Sequence, residues 1–167
     1  REKQQTRENI RNGNRAEGGV YLRNAHNGET FYLDFSQIGT RSCKASFNKF
    51  ARDWRNGQKI NMDDGLLLKI ERLCLHLAQS GKHVKQIDII SAYRSKATNE
   101  MLRETRGGQA KNSLHTYGKA LDIKISGLSI SSLFNACCKA IGNGGVGKYT
   151  KSGFVHIDTG NQRRWGS

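Results

Sequence analysis

The sequence of 167 residues contains no proline, only four cysteines and no long apolar run. Without proline, the chain has neither a proline-rich linker nor a native cis-prolyl bond. No apolar segment approaches the roughly 18 residues of a membrane-spanning helix, so we expect no transmembrane segment in this chain. The length suits one ordinary domain, which can bury a hydrophobic core without help from disulfides.

The four cysteines lack the spacing of a disulfide framework or of a structural zinc site. Cys74 and Cys137 fall on apolar helical faces, Cys137 and Cys138 are adjacent, and no Cys-x-x-Cys pair occurs. The pattern favours buried thiols.

Acidic residues are scarce, because 14 Asp and Glu stand against 28 Lys and Arg and give a formal net charge of +14. Such a charge attracts nucleic acid, anionic lipid or an anionic cell-wall polymer, although a solvated basic surface needs no partner at all. No helix-turn-helix, zinc-finger or aromatic RNA-binding signature is present, and the basic residues are scattered. We therefore expect no specific nucleic-acid partner.

The first residues differ in composition from the rest of the chain. Residues 1–17 are polar and charged, with almost no apolar side chains, which is typical of a linker. We predict a polar basic N-terminal linker over residues 1–18 and a single domain over residues 19–167. A linker left by removal of a signal or anchor fits this composition, and an arbitrary chain boundary fits it equally well.

Hydrophobic periodicity predicts both strands and helices in the domain. Strand patterns, paired around turns at Asn27-Gly28 and Lys151-Ser152-Gly153, occupy residues 20–22, 31–35, 86–92, 121–125, 146–149 and 154–159. Helical patterns occupy residues 47–54, 64–81, 96–106 and 130–141, with Asp63 or Asp64 expected as the N-cap of the second helix and Ser95 as the N-cap of the third. Because regular βαβ alternation is missing, we predict an α+β fold with an antiparallel sheet packed against helices.

Two histidines and an aspartate have the chemistry of a metal site. Asp122 lies between Leu121 and Ile123, so it faces away from the core if these two residues face inward. By the same alternation His156 and Asp158 project together from one face of the last predicted hairpin, and His115 precedes Asp122 by seven residues. Two imidazoles and a carboxylate with an open fourth position suit catalytic zinc. Spacing alone leaves packing or surface roles open for both histidines.

Three segments resemble the D-alanyl-D-alanine carboxypeptidase-like metallopeptidases, which share a fold with the sonic hedgehog signalling domain. They are SAYRSKATNEMLR, KNSLHTYGKALDI and GGVGKYTKSGFVHIDTG, at residues 91–103, 111–123 and 144–160. The Ser-x-His-x-x-Gly-x-Ala-x-Asp pattern at residues 113–122 is highly specific. The likeness covers most of residues 19–165 and is strongest to the periplasmic murein endopeptidase branch.

The resemblance implies one zinc ion, held by His115, Asp122 and His156. It also implies that Arg94 binds a substrate carboxylate or stabilises an oxyanion, which suits an always-charged planar guanidinium; a structural ion pair is the alternative. Ser113 is expected to contact the substrate or to orient its loop.

The general base does not transfer from the family. Several relatives place a glutamate three residues before the last histidine ligand, where this chain has Gly153. Asp158 is the nearest ionisable candidate for this catalytic role, and orienting an imidazole is an equally good interpretation. Glu100 and Glu104 are weaker candidates, because a solvated helix face explains them.

The resemblance therefore implies a zinc metallopeptidase that cleaves peptide cross-links of peptidoglycan, with bonds between diaminopimelate residues as the suggested target. A D-alanyl-D-alanine carboxypeptidase is the alternative within the class, and a non-catalytic zinc-containing cell-wall binding module is the alternative outside it. A peptidoglycan substrate implies a periplasmic or otherwise extracytoplasmic location. Nothing in the sequence predicts the oligomeric state.

Overall fold

The computed structural model describes residues 15–167, and within this range seven strands form one sheet beside four α-helices. The strands are β1 (Gly19–Asn24), β2 (Thr30–Asp34), β3 (Gln86–Ser91), β4 (Ala120–Lys124), β5 (Gly145–Tyr149), β6 (Phe154–Asp158) and β7 (Arg163–Gly166). The α-helices are α1 (Arg41–Phe50), α2 (Gly65–Gln79), α3 (Lys96–Thr105) and α4 (Ile130–Ala140), and two 3-10 helices span Phe35–Gln37 and Leu114–Tyr117.

Hydroxyl side chains cap the N-termini of three of the α-helices. The hydroxyls of Thr40, Ser95 and Ser129 each accept a hydrogen bond from a backbone N–H in the first turn of α1, α3 and α4. Asp64 is the N-cap residue of α2, and the carboxylate of Asp63 accepts from the backbone N–H of Gly65 at 2.9 Å. The predicted start of this helix is therefore confirmed.

One predicted helix extends too far. We expected Trp54 to continue the apolar stripe that begins at Phe47, but α1 ends at Phe50 and Trp54 is 40% exposed. Its ring stacks on His26 with the centroids 4.6 Å apart. Helical spacing alone therefore placed Trp54 in the helix, although its ring contacts His26 between β1 and β2.

The sheet is mixed, and the expectation of an antiparallel sheet is wrong. Its strand order is β2-β1-β3-β4-β6-β5-β7, with β1 and β3 parallel, β5 and β7 parallel, and every other pair antiparallel. Two helices separate β1 and β2 from β3, and this long crossover lets β3 run alongside β1. The chain reverses after β6 and passes to the free edge of β5. The α+β class and both predicted hairpins are confirmed.

The two faces of the sheet carry different side chains, and we refer to them as the inner and outer face. The inner face is apolar and fully buried at Leu22, Ile87, Leu121, Ile123, Val146, Val155 and Ile157. Helix α4 packs on β5 and β6 and contacts α2. The outer face carries Asp122, His156 and Trp165, which alternate with inner-face residues along their strands.

The prediction of buried thiols is confirmed, whereas most of the predicted linker lies outside the described residues. All four cysteines are free thiols; Cys43, Cys74 and Cys137 are buried, as the interpretation of buried thiols predicts. Residues 1–14 of the predicted linker lie outside the described residues. Arg15, within the predicted linker, forms an ion pair with Glu71 of α2 at 2.8 Å. No α-helix between residues 15 and 167 has the length and apolar character needed to cross a bilayer.

Candidate active site

A row of outer-face residues crosses the middle of the sheet. Asp122 of β4 lies directly opposite His156 of β6, and on its other side it pairs with Ser91 of β3. The register of β3 shifts between Ile89 and Ser91. His115 comes from the 3-10 helix Leu114–Tyr117, which contacts β4. Residues that are distant in the sequence therefore meet on one face.

The carboxylate of Asp122 stands between two imidazoles. Its Oδ1 lies 3.2 Å from Nε2 of His115 and 3.0 Å from Nδ1 of His156. One donor atom from each of the three residues lies within 4.8 Å of the other two. Around a tetrahedral zinc ion with bonds of about 2.0–2.2 Å, neighbouring ligand atoms are roughly 3.3–3.6 Å apart. The donor types and spacing therefore fit one zinc ion.

A second hydrogen bond fixes the orientation of each imidazole. Nδ1 of His115 lies 2.8 Å from the carbonyl oxygen of Ala92, which can only accept a hydrogen bond. Nε2 of His156 lies 2.8 Å from Oδ2 of Asp158. When these outer nitrogens carry the protons, the lone pairs of His115 Nε2 and His156 Nδ1 face Asp122, as metal ligation requires.

The electrostatics of the three residues are coupled. Burial lowers the pKa of His115 despite its contact with Asp122. Burial also acts to lower the pKa of His156, but hydrogen bonds to two carboxylates outweigh it and raise the value to about 9. Burial would raise the pKa of Asp122, yet the two imidazoles hold it well below its usual range. The second carboxylate, Asp158, distinguishes the two histidines.

Asp158 is fully buried behind His156, and both of its oxygens are engaged. Oδ1 accepts from the backbone N–H groups of Gly145 and Gly160 at 2.8 and 2.9 Å, and Oδ2 accepts from Arg163 at 2.8 Å besides contacting His156. Burial opposes ionisation, but these hydrogen bonds lower the pKa of Asp158 to about 2. The geometry favours orientation of His156 over proton transfer by Asp158.

Arg94 and Ser113 lie together beside the three donors. Arg94 donates from its guanidinium to Oγ of Ser113 at 3.1 Å, and its backbone N–H donates to the carbonyl of His115 at 3.2 Å. Burial lowers the pKa of Arg94, while nearby Asp122 opposes the shift; an arginine remains charged in such a setting. Its Nε is buried without a hydrogen-bond partner, and none of the ion pairs within residues 15–167 includes Arg94.

The other candidates for a general base lie elsewhere. Gly153, which stands where several relatives have the glutamate, lies in the turn between β5 and β6 with a φ of 81°. Glu100 is exposed on α3 and forms an ion pair with Arg103 at 2.8 Å. Glu104 is exposed on the same helix. The positions of Glu100 and Glu104 agree with a solvated helix face.

Two aromatic residues of this region were missed by the sequence analysis. Trp165 of β7 lies against His156, with ring centroids 5.3 Å apart, and its Nε1 donates to the hydroxyl of Tyr149 at 3.0 Å. The available signal was the alternation of Gly145 and Gly147 on β5, because glycine within a strand often marks close approach of another group.

Comparison with known proteins identifies the family of the chain. A family model described as peptidoglycan L,D-endopeptidase MepK matches residues 14–165. The chain belongs to this family. The resemblance to the murein endopeptidase branch of the D-alanyl-D-alanine carboxypeptidase-like metallopeptidases is thereby confirmed. The donor set of His115, Asp122 and His156 suits the general zinc dependence of these peptidases.

Individual relatives extend over most of the chain. It is 38% identical over 146 residues to peptidoglycan L,D-endopeptidase MepK of Escherichia coli (strain K12), a match that covers 86% of this chain and 78% of the relative. A protein named probable peptidoglycan L,D-endopeptidase MepK, from Haemophilus influenzae, is 36% identical over 147 residues, with coverages of 86% and 76%. No solved structure matches the chain.

Proposed function

We propose that this protein is a zinc-dependent peptidoglycan endopeptidase that hydrolyses peptide cross-links. The observation that carries the proposal is the position of Asp122 Oδ1 between Nε2 of His115 and Nδ1 of His156. Family membership supports the substrate class, and the names of the relatives support cleavage of an L,D bond. We propose cross-links between two diaminopimelate residues as the target.

His115, Asp122 and His156 would hold one zinc ion in this proposal. Bound there, zinc supplies Lewis acidity, which activates water and polarises a peptide carbonyl. The chain itself fixes the ligand geometry, because Ala92 orients the ring of His115 and Asp158 orients the ring of His156. We therefore assign Asp158 a positioning role.

Arg94 is proposed to bind the substrate. Its Nε is buried without a partner, and its guanidinium is held by Ser113, whose hydroxyl also accepts from the backbone N–H of His115 at 3.2 Å. A guanidinium with unused donors suits a carboxylate of the peptide or the negative charge that develops on its carbonyl oxygen. In this arrangement Ser113 holds Arg94 at a fixed position relative to His115.

From the proposed substrate we infer a periplasmic or otherwise extracytoplasmic location. The formal net charge of +14 is compatible with adhesion to an anionic wall. This attraction would bring the enzyme to the wall without selecting the bond that it cleaves.

Digestion of purified cross-linked sacculi tests the proposed function. The zinc-loaded protein is expected to convert dimeric muropeptides to monomers without release of free D-alanine, as chromatography and mass spectrometry of the fragments would show. His156→Ala should abolish this conversion, whereas His83→Ala, at an exposed position, should leave it unchanged. Free D-alanine with intact dimers would identify a carboxypeptidase. Binding to sacculi without cleavage would identify a binding module.

A further inference from the structure

The outer face of the sheet continues beyond the three donor residues. Gly147 of β5 is paired with His156 on one side and with Trp165 on the other. Because Gly147 has no side chain, the rings of His156 and Trp165 approach each other across it, with centroids 5.3 Å apart. A Cβ atom at position 147 would lie 2.4 Å from the indole ring. The pairing therefore requires glycine.

Trp165 in turn holds Tyr149. Tyr149 is two residues from Gly147 on β5, so its side chain projects from the same outer face. Its hydroxyl oxygen accepts a hydrogen bond from Nε1 of Trp165 at 3.0 Å, and its ring stacks on Phe154 with the centroids 4.8 Å apart. These two contacts fix both the ring and the hydroxyl of Tyr149.

The hydroxyl of Tyr149 retains an unused donor. Its hydrogen has no acceptor among residues 15–167, and the residue is 37% exposed. Tyr149 is also near enough to Arg94 for an ionised phenolate there to raise the pKa of the arginine. A phenol whose oxygen already accepts from an indole is prepared to donate to a further group. A peptide bound beside His156 would offer backbone carbonyl oxygens as acceptors.

We propose that Tyr149 is a substrate-binding residue, whose hydroxyl donates a hydrogen bond to a backbone carbonyl oxygen of the peptidoglycan peptide, and that Trp165 is the positioning residue that holds this hydroxyl. The inference rests on the proposed peptidase function, which supplies the peptide. Tyr149 and Arg94 then hold the peptide through a neutral donor and a cationic one.

Conservative substitutions test these two roles. Tyr149→Phe removes the donor while it retains the ring that packs on Phe154. On a purified dimeric muropeptide, kcat/KM should fall about tenfold, the size expected for one lost hydrogen bond. Trp165→Phe should cause a smaller loss. The double variant should be no worse than Tyr149→Phe, because Trp165 acts through Tyr149.

The controls separate substrate binding from structure. Tyr32→Phe, at an exposed tyrosine near the sheet edge, should stay within about twofold of the unsubstituted protein. Zinc content and the unfolding midpoint should be unchanged in Tyr149→Phe. The inference would be overturned if Tyr149→Phe left kcat/KM unchanged or lost its zinc. It would also be overturned if Tyr149→Phe and Trp165→Phe had independent effects in the double variant.

A binding measurement makes the inference independent of turnover. In an Asp122→Asn background, Tyr149→Phe should weaken calorimetric binding of the intact dimer about tenfold. Unchanged affinity would overturn the role of Tyr149. If the unsubstituted protein bound the dimer through Tyr149 but never cleaved it, the result would instead contradict the proposed function.

Discussion

Strands β4 and β6 contribute to the core on the inner face and to the candidate site on the outer face. Leu121 and Asp122 are neighbours in the sequence, and they are 0% and 6% exposed. Leu121 is stabilised by burial of apolar surface. Asp122 loses water to the same extent but gains two imidazole contacts. Similar burial therefore has different consequences: the inner face contributes to stability, and the outer face holds the residues of the candidate metal site.

The strongest test of this separation is Asp122→Asn. The substitution keeps the shape of the side chain but removes its charge, so zinc binding should be lost and kcat/KM should fall at least about 10³-fold. The free energy of unfolding, measured with a chelator in all samples, should change by only about 1 kcal/mol. Metal analysis, muropeptide hydrolysis and urea unfolding would measure the three effects.

Leu121→Ala is the matched change on the inner face. It should lower the free energy of unfolding by about 2–5 kcal/mol, because it leaves a cavity in a fully buried layer. Zinc content and kcat/KM should remain close to those of the unsubstituted protein at temperatures where the variant is folded. Loss of zinc from folded Leu121→Ala would show that the two faces are not separable.

A smaller effect is expected from Asp158→Asn. If Asp158 orients His156, the variant should bind zinc about 10–100-fold more weakly, and excess zinc should restore part of its activity. If Asp158 were the general base, zinc affinity would be retained and excess zinc would restore nothing. Titration with a competing chelator, combined with hydrolysis at several zinc concentrations, distinguishes these results.

The smallest effect concerns the helix layer beneath the inner face. Burial raises the pKa of Cys74 to about 12, so the folded protein keeps this proton at pH values where an unfolded thiol, with a pKa of 9.0, loses it. Its contribution to stability is therefore complete below about pH 9 and decreases as the pH rises toward 12.

Urea unfolding at pH 8 and pH 10 measures this contribution. The decrease in the free energy of unfolding between these pH values should be smaller in Cys74→Ala than in the unsubstituted protein. Native alkylation at pH 8 should modify Cys138, which is partly exposed, before Cys74. Rapid native modification of Cys74 would contradict its burial.

Much of the local structure follows from the sequence. Alternation in residues 121–123 and 154–158 correctly separates core residues from outward-facing ones, and Ser95 occupies the N-cap position expected for it. His115, Asp122 and His156, nominated by motif and alternation, lie together in the structure. Their role as ligands stays a prediction.

The pairing of distant strands could not be obtained in this way. Alternation identifies a strand but not its neighbour, so neither the parallel pairing of β1 with β3 nor that of β5 with β7 was predicted. Residues Arg163–Gly166 have too short a pattern to indicate a strand. The contact between Trp165 and His156 depends on the unpredicted pairing of β5 with β7. The hydrogen bond from Trp165 to the hydroxyl of Tyr149 depends on the same pairing.

The bare outer face of β5 also limits how the enzyme can be redesigned. Added Cβ atoms at Gly145 and Gly147 would lie 2.4 Å from the Asp158 carboxylate and the Trp165 ring, respectively. Libraries that seek new peptide preferences should therefore keep both glycines fixed and vary Tyr149, where the same strand reaches solvent. In this scaffold, the position beside the candidate site that is open to variation lies at one end of β5.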